Sequence, residues 1–213
     1  MKLKVCGMRD EENIRRVASL QPDYMGFIFY EGSKRFVGKG FKIPTGLSLL
    51  TKRVGVFVNE TTEEMMRIAE QHQLDYIQLH GSEPLEQCQK LKLKGLGIIK
   101  AFSIDETFDW TVLRPFAGAV DYYLFDAKGP GFGGNGFPFD WNLLGKYDQE
   151  VPFFLSGGLS PQNISKIRML NDMNIHALDV NSGVESAPGL KDVELIRKIE
   201  NEITSFKVKN RPI

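Results

Sequence analysis

The chain has 213 residues, enough for one sizeable core. Its 27 Lys and Arg balance 27 Asp and Glu, so charge gives no reason to expect nucleic acid or a membrane surface as partner, although a small anion needs only a local pocket. Two cysteines are too few for a disulfide framework, the start MKLKVCG lacks the apolar stretch of a signal peptide, and no run approaches ~20 apolar residues; a cytoplasmic chain in a reducing compartment is expected.

Short apolar runs recur along the chain, each followed by a Gly or polar residue and then by an amphipathic stretch. The first, Leu3 to Cys6, ends at Gly7 and leads into a helical pattern from Asp10 to Leu20. Tyr24 to Phe29 and Val54 to Val58 follow, and Thr61 with Glu64 forms a capping box for a helix reaching about Gln71. The fourth run, Tyr76 to Leu79, precedes Ser82-Glu83-Pro84, which opens a helix through Lys92. Ile98 to Ala101 and Tyr122 to Phe125 are the fifth and sixth. Phe153 to Leu155 is the seventh, followed by Ser156-Gly157-Gly158 and by Ser160-Pro161, an N-cap with proline at the first helical position. The eighth, Ala177 to Val180, gives way to Ser182-Gly183 and a last helix from about Lys191 to Ile203. Helices after the second, fifth and sixth runs are poorly marked.

Strand-like and helix-like segments in alternation argue for parallel strands with crossover helices. Eight such units without a composition break predict an α/β fold, a closed (β/α)8 TIM barrel forming a single domain over residues 1–213.

Residues of chemical interest sit at the ends of these runs: Cys6, Asn59, His80, Asp126, Ser156 and Asp179. In a (β/α)8 barrel those ends open onto one face, where active sites lie. Alternation puts Lys4 with Cys6, and Gln78 with His80, on faces opposite their aliphatic neighbours; if the aliphatic faces meet the helices, Cys6 and His80 point into the barrel mouth. Taken alone, Cys6 reads more readily as a small buried residue, and a strand-end histidine is as often packed as functional. The turns Gly157-Gly158 and Ser182-Gly183 follow the strands after which barrel enzymes often bind phosphate on backbone N–H groups, and Gly133 to Gly136 would add more. Arg35, in the loop after the second run, has the fork geometry for a carboxylate, although a solvated surface arginine is the commoner case. His72, His176 and Cys88 carry no assigned role. No His, Cys or carboxylate cluster has metal-ligand spacing, so no metal is expected.

Together these motifs resemble the phosphoribosylanthranilate isomerases of tryptophan biosynthesis. The resemblance runs from Lys4-Val5-Cys6-Gly7 through Gly26-Phe27-Ile28-Phe29, Ser33-Lys34-Arg35, Gln78-Leu79-His80-Gly81, Asp126, Gly133-Gly134-Asn135-Gly136 and Gly157-Gly158-Leu159 to Ser182-Gly183-Val184-Glu185. It implies an Amadori rearrangement of phosphoribosylanthranilate, a small-molecule substrate, without cofactor or metal. The residue matching Asp126 is the general acid that opens the furanose, and the one matching Cys6 is the general base that takes the C2 proton. Arg35 holds the anthranilate carboxylate. The Gly157-Gly158 and Ser182-Gly183 turns hold the phosphate, and His80, Asp179, Gly134 and Asn135 are expected beside the ligand. The chemistry asks for these types independently: a poor leaving oxygen needs a proton donor, and a C–H next to an imine needs a base, which a cysteine supplies only as thiolate. Asn135 stands where the family commonly has Thr or Ser, and Ser156 where it commonly has Ala. The related isomerase of histidine biosynthesis uses two aspartates, one of them at the end of strand one, and Cys6 at that position speaks against it. A barrel that only binds phosphorylated ligands would be expected to lose the acid or the base. The length suits a stand-alone enzyme, monomer or homodimer, and Lys4 is the first candidate for activating the Cys6 thiol.

Overall fold

Eight parallel strands close on themselves in chain order, from β1 (Lys2–Val5) through β8 (Ile175–Val180), with β1 pairing both β2 (Tyr24–Ile28) and β8. Between them lie β3 (Lys52–Phe57), β4 (Tyr76–Leu79), β5 (Gly97–Ile104), β6 (Tyr122–Ala127) and β7 (Phe153–Leu155). The computed structural model describes residues 1–129 and 139–209, with side chains to 205. The described residues form the TIM barrel that the alternation predicts, and the run centres are right while several ends move: β3 starts at Lys52, β5 extends to Ile104, and β6 extends through Asp126 to Ala127.

Alternation sorts the strand residues into two cores. Leu3, Val5, Met25, Phe27, Ile77, Leu79, Phe153 and Leu155 face outward and pack under the surrounding elements. Tyr24, Val54, Ile99, Ala101, Leu124, Phe154 and Ala177 form a separate cluster inside the barrel, with Tyr76 and Tyr122 against it. This inner layer fills the N-terminal half, as bulky side chains do in barrels of this size. Lys4 pairs in register with Asp179, so the next inward positions toward the C-terminal end are polar.

The covering is uneven. The first, third and fourth strands are followed by α-helices: α1 (Glu11–Ala18), α2 (Thr62–His72) and α3 (Leu85–Lys92). Asp10 caps α1 by accepting from Asn13 N–H at 2.8 Å, and Ile14 and Val17 form its buried face. No helix follows β2; Phe41 packs instead on Phe27, with ring centroids 5.8 Å apart. After β5, β6 and β7 come 3-10 helices, at Trp110–Phe116, Trp141–Lys146 and Ile164–Leu170. Behind β8 the chain forms a one-turn 3-10 segment, Ser182–Val184, a small hairpin of β9 (Glu185–Ala187) and β10 (Leu190–Lys191), and α4 (Val193–Lys209).

Four local readings are corrected. Thr61 does accept from Glu64 N–H, but the Glu64 carboxylate turns outward to Arg67 at 2.6 Å instead of completing the capping box. The stretch Ser82-Glu83-Pro84 leads into α3 without joining it: Pro84 is the N-cap and Leu85 the first helical residue, while Glu83 pairs with Lys100. Ser160 does not cap a helix: its N–H donates to Asn163 Oδ1, and the 3-10 helix starts only at Ile164. Lys191 belongs to a strand, and the last helix starts at Val193 and runs to Lys209.

Candidate active site

The C-terminal ends of the strands open onto a cavity. Cys6, Arg35, His80, Asp126 and Asp179 line it from four strand ends and one loop, and Gly157, Gly158, Ser182 and Gly183 line it from two turns. With Ser156, which also lines it, ten of the candidate site residues named from the sequence meet in one space. Gly134 and Asn135 lie outside the described residues.

Cys6 sits one residue beyond β1, tied to β8 by its N–H to Val180 O at 2.9 Å. Its side chain fits because Gly26 faces it: a Cβ on Gly26 would fall 2.7 Å from Sγ. Burial pushes the thiol above its ordinary value; Lys4 and Lys191 pull it down, and Asp179 pushes it up. Lys4 is fully buried below Cys6 and donates to Asp179 Oδ2 at 2.9 Å. Burial works to discharge the Lys4 ammonium, yet Asp179 and Cys6 hold it above its usual value. The candidate activator of the thiol is therefore present and charged, but it shares its charge with a carboxylate.

Asp126, on β6, accepts from Ala127 N–H at 2.9 Å through Oδ1. Its Oδ2 lies 3.4 Å from His80 Nε2, near enough for an ionic contact but not aligned as a hydrogen bond. Gln78, two residues before His80 on the same inner face, holds His80 Nδ1 at 2.8 Å through its amide nitrogen. If that amide donates, the imidazole proton sits on Nε2 and points toward Asp126. Among the described residues, Gln78 Oε1, His80 Nε2 and Asp179 Oδ1 are buried side-chain atoms without a hydrogen-bond partner. Unpaired buried polar atoms cost free energy and cluster where a ligand supplies the missing partner.

The two glycine turns touch each other. Gly157 and Gly158 take φ of +90° and +62°, conformations that favour glycine. A Cβ on Gly183 would meet Leu159 O at 2.0 Å, so the turn after β8 packs bare backbone against the turn after β7. Asn163 fixes the first turn by donating to Gly158 O at 2.8 Å.

Arg35 comes from the helix-free segment after β2. Its Nε donates to both Glu185 oxygens, at 2.9 and 3.0 Å, and Nη2 donates to Glu185 Oε2 at 2.7 Å. Glu185 also takes Lys191 Nζ at 2.6 Å and Gly189 N–H at 3.0 Å. Burial pulls the Lys191 ammonium down to about 8, against the opposing effect of Glu185. Lys191 donates in addition to Asn181 Oδ1 at 2.7 Å, and Asn13 pairs with its backbone N–H and C=O, each at 2.8 Å.

Sequence reasoning missed Gln78 as the support of His80, and it missed Lys191 and Glu185 as a buried charge cluster behind Arg35. For Gln78 the alternation with His80 was a usable signal. For Lys191 there was none, because the β9–β10 hairpin folds it inward and nothing local marks that. Glu83 and Lys100 were also missed: their buried 2.8 Å pair ties the turn after β4 to β5, and Glu83 accepts from Asn59 and Gly81 N–H as well. Cys88 is packed away under the barrel wall, its thiol pushed up to about 11 by burial.

Among the described residues, no group of three or more His, Cys, Asp or Glu side chains could hold a metal ion, and no helix is long and apolar enough to cross a membrane.

Comparison with known proteins converges on one family. The family model described as N-(5'phosphoribosyl)anthranilate (PRA) isomerase matches residues 3–202. The N-(5'-phosphoribosyl)anthranilate isomerase of Parabacteroides distasonis is 46% identical, the match covering 95% of this chain and 93% of that protein. Among solved structures, phosphoribosyl anthranilate isomerase from Thermotoga maritima is 33% identical with a TM-score of 0.83, covering 96% of this chain and 99% of that one. A phosphoribosyl anthranilate isomerase solved in complex with reduced 1-(o-carboxyphenylamino)-1-deoxyribulose 5-phosphate is 31% identical with a TM-score of 0.81, over the same shares of the two chains.

Proposed function

The chain belongs to the N-(5'-phosphoribosyl)anthranilate isomerase family, and from that premise we propose that Asp126 and Cys6 are the acid and base of an Amadori rearrangement in tryptophan biosynthesis. The enzyme is an isomerase. The observation that carries the assignment is the shared cavity: Cys6 and Asp126 both face it, with Arg35 and the two glycine turns in its walls.

Asp126 gives a proton to the furanose ring oxygen while the anthranilate nitrogen lone pair forms the C1=N bond and the C1–O bond breaks. The Cys6 thiolate then takes the C2 proton, and the C–H pair becomes the C1=C2 bond of an enolamine. Loss of the C2 hydroxyl proton and protonation at C1 give the ketone. Four proton moves balance within the substrate, so the turnover closes when solvent carries the proton from Cys6 back to Asp126. The substrate's own nitrogen acts as the electron sink.

In the ligand-free site burial leaves the thiol above its ordinary value, so base catalysis draws on the thiolate fraction that Lys4 and Lys191 sustain. Arg35 binds the anthranilate carboxylate. The Gly157-Gly158 and Ser182-Gly183 turns bind the phosphate through backbone N–H groups, with His80 and Asp179 beside the ligand. Removing either proton-transfer group costs about 10²–10⁴-fold in rate. Cys6→Ala and Asp126→Asn are therefore expected to cut kcat by that much, with the circular dichroism spectrum and melting temperature near wild type. Near wild-type turnover in either variant sinks that residue's role.

A further inference from the structure

Resting on the reading of Arg35 as the carboxylate-docking residue, we propose that Glu185 is the positioning residue that aims its guanidinium, and that Lys191 completes the docking cluster.

A guanidinium offers a rigid planar fork with five N–H groups. Glu185 occupies one edge of it, taking Nε–H and one Nη2–H between 2.7 and 3.0 Å. By the planarity of the group, the Nη1/Nη2 edge then points away from Glu185, and Arg35 is one of the cavity's lining residues. That edge matches the two oxygens of a carboxylate. Without Glu185 the side chain would have several rotatable bonds between its backbone and the ligand, and ordering it would weaken binding.

Glu185 is itself held. Its Oε1, which also accepts from Arg35 Nε, receives Lys191 Nζ at 2.6 Å and Gly189 N–H at 3.0 Å. Its side chain is 5% exposed, and that of Lys191 is fully buried. The charge count matters as much as the geometry. Arg35 and Lys191 are two cations around one carboxylate, so the cluster keeps one positive charge for an incoming anion. A lone Arg–Glu pair would have been neutral and a poor receptor for a second carboxylate. Burial pulls the Lys191 ammonium down to about 8, and Glu185 opposes that pull.

A purely electrostatic role for Glu185 makes the opposite prediction from a positioning role. Removing its charge leaves the cluster more positive, which on charge alone should tighten an anionic ligand. The test uses two probes, reduced 1-(o-carboxyphenylamino)-1-deoxyribulose 5-phosphate and its analogue without the ring carboxylate, titrated by calorimetry into wild type, Arg35→Met, Glu185→Gln and the double variant. Glu185→Gln is expected to weaken the carboxylated probe about tenfold, the order of one charge-assisted contact, and to leave the decarboxylated one within about twofold. Arg35→Met is expected to show the same discrimination, and the double variant no further loss. Turnover of Glu185→Gln should show a raised KM with kcat little changed. Unchanged or tighter binding of the carboxylated probe by Glu185→Gln, with Arg35→Met still discriminating, overturns the proposal and leaves the docking role of Arg35 intact. No discrimination by Arg35→Met overturns both. Should Glu185→Gln melt below the assay temperature, Glu185→Asp, which keeps the charge but withdraws the acceptor by one methylene, is read in the same way.

Discussion

At its N-terminal end the barrel is closed by rings: Phe154 lies edge-on to Tyr24 and Tyr122 at 5.2 and 5.3 Å, and His176 sits 4.0 Å from the Tyr122 ring. At the other end β1, β6 and β8 carry Lys4, Cys6, Asp126 and Asp179. In the rings the polar atoms are matched, since Tyr24 Oη and His176 Nε2 are 2.7 Å apart. In the mouth three buried side-chain polar atoms lack a hydrogen-bond partner among the described residues. On β6 a single inward residue, Leu124, stands between Tyr122 and Asp126. One end stabilises the fold, and the other holds charge that stability alone would not select.

The largest expected effect that would sharpen this contrast is at Lys4. Lys4→Met strands a buried Asp179 and should cost about 3–5 kcal/mol of stability, measured by urea unfolding. Adding Asp179→Leu should recover most of that loss while activity stays low. The single variant should also move the rising alkaline limb of kcat/KM to higher pH, because the thiol loses its nearest cation. A limb that stays in place breaks the link between Lys4 and Cys6.

At the opposite end, Phe154→Ala should cost a comparable ~3–5 kcal/mol through the cavity it leaves. Below its melting temperature, however, kcat should stay within a few-fold of wild type. A drop of 100-fold or more there, of the order a lost catalytic group causes, would mean that the two ends are not separable.

The smallest effect is acid sensitivity at His176. Burial holds its imidazole down to about 4, below the ordinary 6.5. The unfolded chain therefore binds the proton first as pH falls. The stabilisation is fully present above about pH 6.5 and is lost progressively toward pH 4. His176→Gln, which does not titrate, should flatten the fall in melting temperature between pH 7 and pH 4.5. Parallel curves for the two proteins would remove His176 as the source.

Much of this organisation is legible in the sequence, and the reason is periodicity. Eight apolar runs with glycine or polar ends specify the strands, and two-residue alternation puts Cys6, His80 and Asp126 on the inner face. The glycine turns are legible because bare backbone was needed at Gly157 and Gly183, and no other residue type serves there. What escaped depends on contacts across long stretches of chain. Arg35 and Glu185 are 150 residues apart, so nothing near either one announces their fork. The buried pair of Glu83 and Lys100 joins residues 17 apart and escaped for the same reason. The weak helical marking after the fifth and sixth runs corresponds to short 3-10 helices, the first of them containing Pro115.

That last feature has a consequence for how the molecule breathes. The first half of the ring wears α-helices over three of its strands, while β5, β6 and β7 are covered by 3-10 turns with poorer hydrogen-bond geometry. Amide protons on that side should exchange with deuterated solvent first, and a protease should find its opening there. The glycine turn after β7 belongs to this looser arc. The molecule thus resembles a clasp with one fixed jaw, bearing Cys6, and one that yields.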